Sequence, residues 1–190
     1  MSADAATGDS TQPLVYHVAA TLDGFIAHPD GSFGGFAWDD EVVADFFAEL
    51  ERFGTVLMGR KTYDVGLAEG KTSPYPAMRQ VVFSRSMAES PDPAVEIVRQ
   101  DPAAFVRELK ATASKPVWLC GGAEIAAILM HDALVDQVVV KLNPVVFGSG
   151  IPMIGPTGPQ TALRLTDTHT YGCGIIRLRY DVARPDPSAG

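Results

Sequence analysis

The sequence predicts an α/β protein with a mixed, mostly parallel sheet, helices on both faces and a C-terminal antiparallel hairpin. Three observations predict it. Short apolar strands alternate with helical segments between Leu14 and Leu142. Two of those strands reach glycine and run straight into a helix. The chain then closes with two long strand-like segments separated by Tyr171-Gly172. Strand–helix alternation feeds parallel strands through helical crossovers, whereas two long strands joined by a turn pair antiparallel.

Leu14 to Ala20 is an apolar strand, followed by a Gly-rich loop from Asp23 to Trp38. Glu41 to Phe53 is helical, with Val42, Val43, Phe46, Phe47 and Leu50 at three- and four-residue spacing. Thr55 to Met58 is a strand, Lys61 to Leu67 a short helix, and Lys71 to Ala77 a Pro-containing connection. Gln80 to Phe83 and Val95 to Val98 are strands. Asp101 caps a helix that has Pro102 at its first position and runs to about Ala111. Val117 to Cys120 is a strand, Ala123 to His131 a helix, and Gln137 to Leu142 a β-branched strand. Leu163 to Thr170 and Gly174 to Val182 form the hairpin.

At 190 residues the chain suits one domain, here residues 13 to 182. Met1 to Gln12 reads as a disordered lead-in without the basic and apolar regions of a secretory signal, and Ala183 to Gly190 as a tail. No apolar run approaches the roughly 20 residues that span a bilayer, so the expectation is a cytoplasmic protein with no membrane partner. A net charge of −8 argues against nucleic acid. Cys120 and Cys173 make neither a disulfide framework nor a metal spacing, and His17, His28, His131 and His169 lie far apart, so no metal is expected.

The chemistry concentrates at two strand-to-helix turns. Gly121-Gly122 lets a ligand approach the backbone, and the helix after it offers free N–H groups and its positive dipole end. That suits a phosphate, although a plain tight turn would use the same residues. Met58-Gly59-Arg60-Lys61-Thr62 delivers two cations and a hydroxyl at the mouth of another helix. Arg60, Lys61, Lys71, Arg79 and Arg85 form a local basic patch on an acidic protein, able to take a small polyanion. Cys120 reads as a small buried residue closing a strand rather than a nucleophile.

Five segments in order carry a resemblance. They are Thr21-Leu22-Asp23-Gly24-Phe25-Ile26-Ala27, Met58-Gly59-Arg60-Lys61-Thr62-Tyr63, Val82-Phe83-Ser84-Arg85-Ser86, Gly121-Gly122-Ala123-Glu124, and the run from Asn143 to Pro152. Together they resemble the dihydrofolate reductase-like superfamily, a three-layer sandwich, and within it the reductase domain of bacterial riboflavin biosynthesis with its stand-alone relatives. The resemblance implies bound NADPH. Arg60 would meet its 2′-phosphate with Lys61, Ser84 and Arg85 nearby, and Thr62, after Gly59, would bond the pyrophosphate. Gly121 and Gly122 would carry a cis peptide, and Ala123, Glu124 and Ile125 would offer backbone N–H groups. Leu22, Asp23 and Gly24 would cover the nicotinamide. Relatives of this kind are often homodimers, and the hairpin is the candidate surface.

One departure bears on substrate. A dihydrofolate reductase carries an acid on its first helix that grips the pterin. Here Val43 or Ala44 aligns with that position, and the helical wheel puts Asp45 opposite the Val43, Phe46, Phe47 and Leu50 face. Asp39 and Asp40 are the remaining candidate catalytic acids, with N-capping as their competing role. The expected activity is NADPH-dependent hydride transfer to a small heteroaromatic or imine-like substrate of pyrimidine or pterin type. Dihydrofolate reduction and non-catalytic NADP(H) binding are the alternatives.

Overall fold

β1 (Leu14–Thr21) lies inside an eight-stranded sheet and organises it. In the computed structural model, which describes residues 11–158 and 160–183, the remaining elements follow in chain order. They are β2 (Phe25–Ala27), α1 (Asp40–Leu50), β3 (Thr55–Gly59), α2 (Arg60–Ala68), β4 (Arg79–Phe83) and β5 (Val95–Val98). Then come α3 (Pro102–Thr112), β6 (Val117–Gly121), α4 (Ala123–His131), β7 (Gln137–Asn143), β8 (Ile151–Pro152), β9 (Leu163–Thr170) and β10 (Ile176–Val182). The expected lead-in and tail fall almost wholly outside the described residues.

The strand order is β5-β4-β3-β6-β1-β7-β10-β9. The first six are parallel, and β10 and β9 close the sheet antiparallel. Covered on both faces, the central strands are mostly apolar, as expected of parallel strands under two helical layers. Leu14, Tyr16, Val18 and Ala20 of β1 pack toward Val106 and Leu109 of α3 and Ala126 and Leu129 of α4. Val15 takes the other face, where Leu50 of α1 and Tyr63 of α2 pack around Trp118. This is the dihydrofolate reductase-like three-layer sandwich. β2 and β8, only three and two residues long, pair with each other outside the main sheet; they are too short to show periodicity in sequence.

The inward face of α1 differs from the expected one. Val42, Asp45, Phe46, Glu49 and Leu50 face the sheet, while Phe47 is 62% exposed. The reason lies in the strands beneath. Lys141 on β7 and Arg177 on β10 are directly opposite each other, and like charges so placed repel. Asp45 sits across both, with Oδ2 3.2 Å from Lys141 Nζ and Oδ1 accepting from Arg177 Nη1 at 2.9 Å. Glu49 takes Arg179 in the same way. Apolar periodicity alone missed this because half of α1 docks through charge and half through Phe46 and Leu50.

Candidate active site

The parallel strands all end at one edge of the sheet, which is where open α/β sheets place their ligands. Register sets the neighbours there: Phe83 beside Gly59, Met58 beside Gly121, and Thr21 beside Asn143. The edge therefore runs from Ser84 and Arg85 past Gly59 and Gly121 to the end of β1 and β7.

Of the helices that begin at this edge, two have glycine N-caps without a side-chain hydrogen bond: Gly59 for α2 and Gly122 for α4. The other two helices are capped by acids. Asp39 accepts the Glu41 N–H at 2.9 Å, and Asp101 accepts the Ala104 N–H at 3.0 Å. A helix leaves its first N–H groups without intrahelical partners. At α2 and α4 no side chain satisfies them, and the two ends converge. A Cβ on Gly122 would lie 3.5 Å from Gly59 Cα, and one on Gly121 would lie 3.5 Å from Thr62 Oγ1. Gly122 itself has φ +109°, a conformation that side-chain-bearing residues rarely adopt. The expected cis peptide at Gly121–Gly122 is not present, and no described peptide bond is cis. The sharp turn from β6 into α4 is made instead by the positive φ of Gly122.

Ala123, Glu124 and Ile125 form the first turn of α4, with the Ala126 N–H making the first bond back to Gly122 O at 2.9 Å. Arg60 and Lys61 open α2, and Arg60 Nε donates to Asp64 Oδ1 at 2.6 Å. This bond engages Nε and not the two terminal guanidinium nitrogens. Asp64 was not singled out from sequence, although its i,i+4 spacing from Arg60 is the signal. Ser84 is buried and accepts the Met87 N–H at 2.9 Å, while Arg85 is exposed.

Asp23 accepts three hydrogen bonds within the protein. Its Oδ1 accepts from Thr21 Oγ1 at 2.6 Å and Phe147 N–H at 3.2 Å, and its Oδ2 accepts from Gly148 N–H at 2.7 Å. These bonds, the Thr21 hydroxyl foremost, hold its carboxyl below the usual range. The Leu22 N–H bonds Val145 O, and the Met153 N–H bonds Gly24 O. The Leu22–Gly24 loop is thus tied to the 144–153 segment, with Asp23 as the tie.

Ala19 is exposed in the middle of the sheet, the one opening in a strand otherwise buried throughout. Cys120 nearby is half-buried, its thiol 3.6 Å from Tyr75 Oη, and burial pushes it up to about 11, so it is a neutral thiol. Asp39 is occupied as the α1 cap and Asp40 is the exposed first residue of that helix. Asp45 is committed to Tyr171, Lys141 and Arg177; burial works to raise it, but these partners outweigh burial and leave it lowered.

Among the described residues no cluster of His, Cys, Asp and Glu suits a metal ion, and no helix is long and apolar enough to cross a membrane.

The fold is dihydrofolate reductase-like, with two helix ends lacking side-chain caps at the edge of its sheet. More narrowly, the chain belongs to the RibD C-terminal domain family, whose model matches residues 13–177. It is 32% identical to the uncharacterized protein YwjB of Bacillus subtilis (strain 168), across 87% of this chain and 95% of that one. A putative riboflavin biosynthesis protein from Shewanella sp. PV-4 has the same fold at TM-score 0.80 and 23% identity, covering 91% of this chain and all of that one. The diaminohydroxyphosphoribosylaminopyrimidine deaminase/5-amino-6-(5-phosphoribosylamino)uracil reductase of Thermotoga maritima matches at TM-score 0.67 and 15% identity, over 91% of this chain and 57% of that one.

Proposed function

We propose that this protein is an NADPH-dependent reductase that transfers a hydride to a small heteroaromatic or imine-like acceptor of pyrimidine or pterin type. The observation that carries the reading is the convergence of two glycine-capped helix ends, Gly59 and Gly122, beside Arg60. Membership of a reductase-domain family supports it. The unpaired N–H groups of both first turns would hold a pyrophosphate, with Thr62 adding a hydroxyl. Arg60, aimed by Asp64 and helped by Lys61, Ser84 and Arg85, would grip a 2′-phosphate through charge-assisted hydrogen bonds. When bound, NADPH supplies the hydride. The protein supplies orientation: Ala19 leaves room for a planar ring, and the Leu22–Gly24 loop, fixed by Asp23, shields it from water. Asp39 and Asp40 remain the candidates for a proton, Asp40 being the one not needed as a cap.

The same reading includes a homodimer through β9, whose eight residues are all exposed at the outer edge of the sheet. Sedimentation showing only a 20.2 kDa species at micromolar concentration would remove that part.

The reductase reading is tested by following loss of reduced-nicotinamide absorbance with a panel of pyrimidine, pterin and flavin acceptors, alongside NADPH binding. NADPH bound and consumed with at least one acceptor supports it. NADPH bound but never oxidised would make the chain a binding module, and no binding would remove the reading.

A further inference from the structure

The charges at the sheet edge divide sharply in two. The α2 and α4 side carries Arg60, Lys61 and Arg85, and two helix ends without side-chain caps. The other side is built from residues 19–47 and 142–155, and it has no such equipment. No Lys or Arg precedes Arg52, and residues 142–163 contain no charged residue. The cations beneath α1 are committed: Lys141 to Asp45 and Val42 O, Arg177 to Asp45 and Asp167, Arg179 to Glu49.

A helix N-terminus could replace a missing cation, and α1 begins here. Its end is already filled, however. The Asp39 side chain accepts from Glu41 N–H, and Asp40 and Glu41 occupy the first turn, so the pole that attracts anions is covered by carboxylates.

What this side does offer is apolar surface. Leu22 is 65% exposed, Trp38 73% and Val146 62%. They gather at the ends of β1 and β7, because Leu22 N–H bonds Val145 O and Ala37 N–H bonds Asn143 Oδ1 at 3.1 Å. The exposed Ala19 lies just behind them, two residues before Thr21 on β1. Monomeric proteins seldom display such residues together without a use.

Resting on the reductase reading, we infer that the hydride acceptor is a planar aromatic compound that carries no phosphate. A phosphate ester would meet Asp39 and Asp40 with no Lys or Arg to offset them, and Glu41 already faces His169 at 3.6 Å, whereas an uncharged ring gains by covering Leu22, Trp38 and Val146. The acceptor thus differs in kind from the phosphoribosyl compound in the name of the Thermotoga maritima reductase.

Riboflavin and its 5′-phosphate ester share one ring and differ by the phosphate, so they isolate the claim. Their binding is measured by flavin fluorescence at low salt, with saturating NADP⁺ filling the phosphate side. Riboflavin should bind roughly tenfold or more tightly than the ester. Asp40→Lys should narrow that ratio by about fivefold or more, by offering the phosphate a cation. Equal binding, tighter ester binding, no detectable riboflavin binding, or a ratio unmoved by Asp40→Lys would overturn the inference. NADP⁺ binding is measured separately in the same preparation. Its absence would remove the reductase reading and the inference that rests on it, whereas NADP⁺ binding with an unselective flavin pair would overturn the inference alone.

Discussion

Gly59 and Gly122 are in contact across the sheet edge: a Cβ added to Gly122 would lie 3.5 Å from Gly59 Cα and 3.6 Å from its nitrogen. The contact is ordinary in distance, so space alone does not demand glycine at position 122. The backbone does, through φ +109°. A side chain forced to positive φ costs roughly 1–2 kcal/mol, and more for a β-branched one.

Gly122→Val should therefore move the turn that presents the first N–H groups of α4. Both NADPH and NADH should lose about tenfold or more in affinity, since both carry a pyrophosphate. Circular dichroism of the variant should stay that of the folded protein. Unchanged binding would show that α4 does not hold the cofactor.

His17 gives a prediction about acid stability. It is buried under α1, 3.3 Å from Glu49 Oε2, yet neither ring nitrogen has a hydrogen-bond partner in the protein. Burial, with Lys141 and Arg179 close by, lowers its pKa to about 3. The folded protein then holds a neutral imidazole where the unfolded chain, near 6.5, takes up a proton. Stability from this group is complete above about pH 6.5 and declines as pH falls toward 3, by at most about 1.4 kcal/mol per pH unit. Denaturant titrations from pH 7 to pH 4 should show a shallower decline for His17→Gln than for the wild type. Parallel declines would show that another group governs this range.

Most of this architecture was legible because it is local. Val95–Val98, Ala123–His131 and Leu163–Thr170 match the expected limits, since each ends at a change of residue character. The glycine turns were legible for the same reason. The orientation of α1 was not, because it depends on Lys141 and Arg177 meeting on adjacent strands, 36 positions apart in the chain. The tie made by Asp23 was hidden likewise: its partners Phe147 and Gly148 lie in the segment after β7, which no spacing around Asp23 could reveal.

The commitment of Asp45 also bears on substrate. Its carboxylate is bound by Lys141, Arg177 and Tyr171, and Glu49 by Arg179, so neither inward acid of α1 is left to grip a pterin. Dihydrofolate should be reduced poorly or not at all with saturating NADPH, because general acid help of about 10²–10⁴ is missing. Asp39→Asn and Asp40→Asn should leave that result unchanged. Robust wild-type turnover lost in either variant would instead establish dihydrofolate reduction.

The central claim is that the α2 and α4 helix ends bind NADPH with Arg60 reading its 2′-phosphate. Dissociation constants for NADPH and NADH, measured on wild type and Arg60→Ala, test it most directly. Charge-assisted hydrogen bonds are worth about 1.5–3 kcal/mol. NADPH should bind the wild type more tightly than NADH, and Arg60→Ala should weaken NADPH roughly ten- to a hundredfold while NADH changes by less than about twofold. Equal losses for both, or a wild type that prefers NADH, would contradict the account.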